Sequence, residues 1–242
     1  MEIRICEDAR SLGRSAARQV AAALRDKIKE RGSARIVLST GASQFELFKA
    51  LIAEDVAWPK VTMFHLDEYV GLPESHPASF RKYLKERFLD HVNIGHYHMV
   101  DGDPARIPEL TALVKASPVD VGLIGIGQNG HIAFNDPPAD FVTRESFIIV
   151  SLDEACKAQQ VSEGWFANND EVPKRAISMT VHQILQCECI ISCVPHGVKA
   201  RAVRDTLYNS KTPMVPATAL KDHADLTLYL DRESAGMILK EA

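Results

Sequence analysis

The stretch Val119-Asp120-Val121-Gly122-Leu123-Ile124-Gly125 decides the fold class. It is short, mostly apolar and bounded by turn residues. Such a run fits a strand buried on both faces of a parallel sheet. On either side of it, helical and strand patterns alternate. Leu12, Ala16, Val20, Leu24 and Ile28 recur at steps of four, which predicts one amphipathic helix over 9–30, stopped by Gly32. Arg35 to Ser39 reads as a strand, Gln44 to Ile52 as a helix and Lys60 to Leu66 as the next strand. Pro77 to Leu89 reads as a helix with proline in its first turn. Ser146 to Ser151, Cys189 to Val194 and Leu226 to Leu230 read as further strands, and 153–165, 198–207 and 232–240 as helices. The alternation predicts an α/β fold with a mostly parallel open sheet and helices on both faces, Rossmann-like. No linker, repeat or low-complexity tract divides the chain, so a single domain over 1–242 is expected.

Composition narrows the partner classes. The formal net charge is −4, with none of the basic surplus expected of a nucleic-acid binder. No apolar run approaches the roughly 20 residues needed to cross a bilayer, so no membrane partner is expected. The first ten residues lack a positive segment followed by an apolar one, so no secretory signal is read. Cys6, Cys156, Cys187, Cys189 and Cys193 are odd in number, which argues against a disulfide framework. Cys187, Cys189 and Cys193 lack the second cluster of a zinc site and read as buried thiols; no metal is expected. A reducing cytoplasm follows.

Open parallel sheets gather ligands at the carboxyl ends of their strands, so loops that follow strands are the informative ones. Three stand out. Ser39-Thr40-Gly41-Ala42-Ser43 opens a helix with two hydroxyls and a glycine, an arrangement that can hold a phosphate on free backbone N–H groups. It lacks the Gly-Lys-Ser/Thr element of a P-loop, and a turn capped by Ser43 is the simpler reading of the loop alone. Asp67-Glu68-Tyr69-Val70-Gly71-Leu72-Pro73 follows an apolar strand. Adjacent strand side chains face opposite ways, so one of the two carboxylates can enter a shared cleft and carry a proton there. A solvated acidic turn is the alternative.

The third loop is Gly125-Ile126-Gly127-Gln128-Asn129-Gly130-His131-Ile132-Ala133-Phe134-Asn135-Asp136-Pro137. Its glycine spacing imitates a dinucleotide fingerprint. The position in mid-chain and the two prolines that follow exclude that reading. Asn129, His131 and Asp136 crowd one bend. A carboxylate beside a histidine fixes the tautomer and supports the imidazolium, which makes an acid/base unit. A core histidine satisfied by backbone is the alternative.

Taken together, Thr40 to Ser43, Phe64 to Pro73 and Gly127 to Pro137 resemble, in order and spacing, the successive site motifs of glucosamine-6-phosphate deaminases. Strand elements near Val172-Pro173-Lys174 and Val194 to Val203 add to the likeness, which covers essentially the whole chain. The first motif is shared with 6-phosphogluconolactonases and with sugar-binding domains of some transcription regulators. The resemblance implies an amino-sugar phosphate as the small-molecule partner and no redox cofactor. It implies that Asp67 moves the proton between C1 and C2 of the open-chain sugar and that His131 helps open the ring. Asn129 and Asp136 would orient that histidine. Thr40, Gly41, Ala42, Ser43 and Lys199 would form the phosphate site, with Ser39, Glu68, Gly127 and Gly130 completing the substrate-contacting set. A homo-oligomer is left open.

Three departures accompany the resemblance. Asn129 stands where the best-studied bacterial pattern has Asp, and Asp136 where the family usually has Glu. The shorter acid is retracted by about 1.5 Å, one carbon–carbon bond. The arginine that the family's lid places on the phosphate has no counterpart between residues 151 and 174, where Glu163 and Gly164 fall near its place. The alternatives are a galactosamine-6-phosphate deaminase, a lactonase, and a non-catalytic sugar-phosphate sensor.

Overall fold

In a computed structural model the described residues are 1–162 and 164–239. The strands are β1 (Glu2–Cys6), β2 (Ala34–Leu38), β3 (Val61–His65), β4 (Asp67–Tyr69), β5 (His96–His98), β6 (Val121–Ile124), β7 (Phe147–Ser151), β8 (Arg175–Met179), β9 (Cys189–Val194) and β10 (Leu226–Asp231). The helices are α1 (Ala9–Arg31), α2 (Phe45–Leu51), α3 (Phe80–Arg87), α4 (Ile107–Lys115), α5 (Glu154–Ser162), α6 (Val181–Ile184) and α7 (Ala200–Tyr208). Seven strands form a parallel sheet in the order β1-β10-β9-β6-β2-β3-β5. β6, the decisive run of the sequence, lies at its centre and is buried throughout.

The sheet has a core on each face. Side chains of α1, α2 and α3 pack on one face against Ile36, Leu38, Met63 and Ile191. Those of α4, α6 and α7 pack on the other against Val37, Phe64, Ile124 and Ile190. The α/β reading with helices on both faces therefore holds. At α1 the local signals and the structure agree. Asp8 and Ser11 form a reciprocal capping box, and Gly32 ends the helix at φ 85°, where a Cβ would be strained.

A second sheet departs from the sequence reading. β4, β8 and β7 make a three-stranded antiparallel sheet, so the Asp67-Glu68 pair lies in a strand and is not a solvated turn. β1 and β5 are edge strands that the sequence did not reveal. β1 carries exposed charges between exposed isoleucines, and β5 has three residues. α3 starts later than expected, with Ser79 as its cap and Pro77 outside it. Residues 232–239 form turns instead of the expected helix, and Lys240 lies outside the described residues. After Val194 the chain turns into a 3-10 turn and α7, so Val194 to Val203 is not strand, and Val172 to Lys174 leads into β8 without belonging to it.

Cys187 and Cys193 sit in the cores of opposite sheet faces, and none of the five cysteines is in a disulfide. No described helix is long and apolar enough to cross a membrane.

Candidate active site

A cavity of about 310 Å³ opens at the carboxyl ends of the central strands, a volume within the range of small-molecule sites. Loops after β2, β3, β6 and β9 wall it, and α5 with the segment after it lies over it. Of the residues expected from the sequence, Ser39 to Ser43, Asp67, Gly127, His131 and Lys199 line this cavity. Glu68, Asn129, Gly130 and Asp136 do not.

The turn after β2 is built for exposure of its polar groups. Gly41 has φ 98°, residues 42–44 form a 3-10 turn, and α2 follows. Ser43 lies inside that 3-10 turn and caps nothing, so the simple capped-turn reading is replaced. Gln44 is buried and its Nε2 donates to the Cys193 carbonyl at 3.4 Å, which ties the turn to the end of β9. Tyr83 of α3 holds it from the other side, donating its hydroxyl to the Gly41 carbonyl at 2.7 Å. Ser39 Oγ is buried with no partner among the described residues, although Ser39 lines the cavity. A buried hydroxyl left unpaired is costly unless a ligand or water completes it.

The alternation of β4 separates the two adjacent acids. Asp67 faces the cavity and is 6% exposed. Glu68 faces away, fully buried, and accepts from Ser79 Oγ at 2.8 Å, Arg81 N at 3.0 Å and Arg81 Nε at 3.2 Å. Glu68 thus seats the start of α3, and the expected substrate contact is corrected. Burial pushes the Asp67 carboxyl up to about 8, helped by the negative charges of Glu68 and Asp136 and opposed by the Phe134 amide. A carboxyl so placed holds a proton near neutrality and can release it to a modest change in charge nearby.

His131 faces Asp67's cavity from the loop after β6. Its Nδ1 lies 2.7 Å from Asn129 Oδ1 and 3.2 Å from Asp136 Oδ1. Asn129 Nδ2 donates to the same Asp136 oxygen at 3.0 Å, and Asn129 Oδ1 also accepts from His131 N at 3.1 Å. With acceptors around Nδ1, the network assigns the proton there and leaves Nε2 as the working nitrogen. Burial pushes the Asp136 carboxyl up, but hydrogen bonds from His131, Asn129 and Cys156, with the His131 charge, outweigh it and hold the group below its ordinary value. The short side chain of Asp136 therefore reaches the ring directly, with no bridging water. An amide at position 129 is what permits this, because a second carboxylate there would face the first at hydrogen-bond distance.

Two glycines have structural tasks, Gly127 beside its place in the cavity wall and Gly130 outside it. A Cβ on Gly127 would stand 2.2 Å from the His131 ring, so this glycine makes room for the imidazole. Gly130 has φ 85°, and a Cβ there would meet Val215 at 2.8 Å.

The sequence reading missed the lid's contribution. Cys156, Gln160 and Trp165 line the cavity, and Gln160 Oε1 accepts from the Tyr69 hydroxyl at 2.8 Å. No arginine among the described residues lines the cavity; Gly164 carries φ 81°, and Glu163 lies outside the described residues. His196 was missed as well. Its position after β9 was the available signal.

An open doubly wound sheet with a cavity at its carboxyl edge, mostly apolar and set with a few polar side chains, defines a small-ligand α/β protein. The family described as glucosamine-6-phosphate isomerases/6-phosphogluconolactonase matches residues 7–229. The glucosamine-6-phosphate deaminase of Thermoanaerobacter pseudethanolicus is 31% identical over 235 residues, covering 93% of this chain and 91% of its own. Glucosamine-6-phosphate deaminase 1 of Bacillus subtilis is 32% identical over 250 residues, covering 98% and 99%. Among solved structures, a monomeric glucosamine-6-phosphate deaminase superposes with a TM-score of 0.87 at 32% identity, covering 98% of this chain and 100% of that one. A 6-phosphogluconolactonase from Shewanella baltica shares the fold, with a TM-score of 0.78 at 17% identity, covering 96% of this chain and 97% of that one. The chain belongs to the glucosamine-6-phosphate isomerase/6-phosphogluconolactonase family.

Proposed function

We propose that this protein converts glucosamine 6-phosphate and water to fructose 6-phosphate and ammonia, an aldose–ketose isomerisation coupled to hydrolytic loss of the amino group. The names of its relatives support the substrate. The observation that carries the chemistry is the pair of proton carriers on one cavity, the buried Asp67 and the carboxylate-backed His131. His131 Nε2 takes the C1 hydroxyl proton of the closed sugar and returns it to the ring oxygen, which opens the ring. The exposed aldehyde acidifies the C2 hydrogen. Asp67 removes that proton and delivers it to C1, through an enol-type intermediate. The resulting C2 imine takes up water and expels ammonia. None of these steps requires electrons to enter or leave.

The cationic amino group of the substrate favours the ionised form of Asp67, so binding itself arms the base. A lactonase needs no group to carry a carbon-bound proton, and Asp67 in its dry niche therefore favours the deaminase reading over that one. Measuring ammonia release together with deuterium exchange at C2 tests the proposal; ammonia-free hydrolysis of a lactone would replace it. The absence of disulfides supports a reducing, cytoplasmic setting, and the names of the relatives support a place in amino-sugar breakdown.

The turn after β2 and Lys199 anchor the phosphate in this reading. Ser43→Ala and Lys199→Ala are expected to raise the KM for the phosphorylated sugar at least tenfold, the size of a charge-assisted hydrogen bond. Binding of unphosphorylated glucosamine should change little. Equal losses for both sugars would place the anchor elsewhere.

A further inference from the structure

His196 occupies the bend between β9 and α7 with φ 78° and ψ 141°, a left-handed backbone that glycine adopts without penalty and a histidine does not. The bend is clamped. Asp231 Oδ2 accepts His196 N–H at 2.9 Å while its other oxygen accepts Ser234 N–H at 2.7 Å, and Glu233 Oε2 accepts Gly197 N–H at 3.3 Å. The protein thus forces a side chain into a place where none is comfortable. Strain held by its surroundings in this way gathers at functional sites.

That side chain lines the cavity together with Lys199 and the Thr40–Ser43 turn, and the Gln44 amide fixes the turn against the end of β9. The imidazole has no hydrogen-bond partner among the described residues. Ser39 Oγ, buried on the same cavity, also lacks one. An exposed ring held at the cavity by a strained backbone and a buried unpaired hydroxyl thus both face the space beside Lys199. We propose that the His196 imidazole is a ligand of the substrate's phosphate, and this rests on the sugar-phosphate reading of the cavity given above. A ring N–H of the imidazole can donate to a phosphate oxygen beside the Lys199 ammonium.

One ring nitrogen of His196 lies within 4.8 Å of Asp231 and Glu233 oxygens, a set that could also hold a cation. Those carboxylates are already engaged by the three backbone amides named above, and the anion reading is the one that uses Lys199 and the unpaired Ser39 hydroxyl.

The test is His196→Gly, which removes the imidazole and relieves the backbone, with His196→Asn as a partner that keeps a side-chain donor. Inorganic phosphate binding, measured by calorimetry on the whole protein, should weaken about tenfold in His196→Gly and recover in part in His196→Asn. The KM for glucosamine 6-phosphate should rise by a similar factor with kcat nearly unchanged, while unphosphorylated glucosamine is unaffected. The melting temperature of His196→Gly should equal or exceed that of the parent. Unchanged phosphate affinity, or equal losses for both sugars, would overturn the proposal. So would a divalent cation that stabilises the parent and not His196→Gly while phosphate affinity stays the same. If the parent does not turn over glucosamine 6-phosphate, the proposed reaction fails, and the phosphate titration still decides the role of His196.

Discussion

Asp67→Asn is expected to abolish exchange of the C2 hydrogen with solvent deuterium and to lower turnover by roughly 10³-fold, within the usual span for loss of a general acid–base. The asparagine keeps the shape of the side chain and cannot carry the proton. The same substitution should stabilise the fold. In the unfolded chain an aspartate titrates near 3.9. In the folded cavity Asp67 is pushed up to about 8. Between those values the native state binds more protons than the unfolded state, so this group's contribution to stability falls as pH rises from about 4 to about 8 and levels off above it. Thermal melts of the parent and Asp67→Asn should therefore nearly coincide around pH 4, and the variant should melt several degrees higher at about pH 8.5. A variant that retained near-parental turnover would remove Asp67 from the mechanism. A stability gap that widened towards acid pH would show that the carboxyl is not held protonated.

His131→Gln should slow reaction of the closed-ring sugar about 10²-fold, while an analogue that cannot cyclise loses only a few-fold. The two substrates separate ring opening from the proton transfer that Asp67 carries. Equal losses on both would leave His131 with a structural role. Its carboxylate partner gives a companion measurement. The contacts among Asp136, Asn129 and His131 are already direct, at 3.2 Å and below. Asp136→Glu therefore has to push an added methylene into a closed triangle, and turnover should drop about tenfold. A gain would mean that the short acid is merely tolerated here. Asp136→Asn should move the Asp67 ionisation, read from the pH profile of kcat/KM, downwards, because one of the charges that raises it is gone.

Much of the scaffold was legible along the chain. β6, β9 and β10 are apolar runs because both faces of a parallel strand are covered, and that requirement is written residue by residue. The stripe and the caps of α1 are equally local. The antiparallel β4–β8–β7 sheet was not, because its strands lie far apart in sequence and β7 alternates between buried and exposed positions that fit either kind of sheet. The opposite tasks of Asp67 and Glu68 follow from that sheet. Neighbouring carboxylates look alike until the strand is placed, after which one meets the cavity and the other meets Ser79 and Arg81.

The sequence by itself determined the fold class, the loops that could carry chemistry and the residue types within them, since periodicity, caps and turn residues act over a few positions. Only the tertiary structure decided that Asp67 is dry, that Asp136 reaches His131 with Asn129 between them, and that His196 shares the cavity with Lys199. Desolvation and charge coupling are sums over whatever surrounds a group in space. Of the groups that tune Asp67 only Glu68 is its neighbour in sequence; Phe134 and Asp136 come from a loop after a different strand, so no local pattern in the chain could carry their share or the burial.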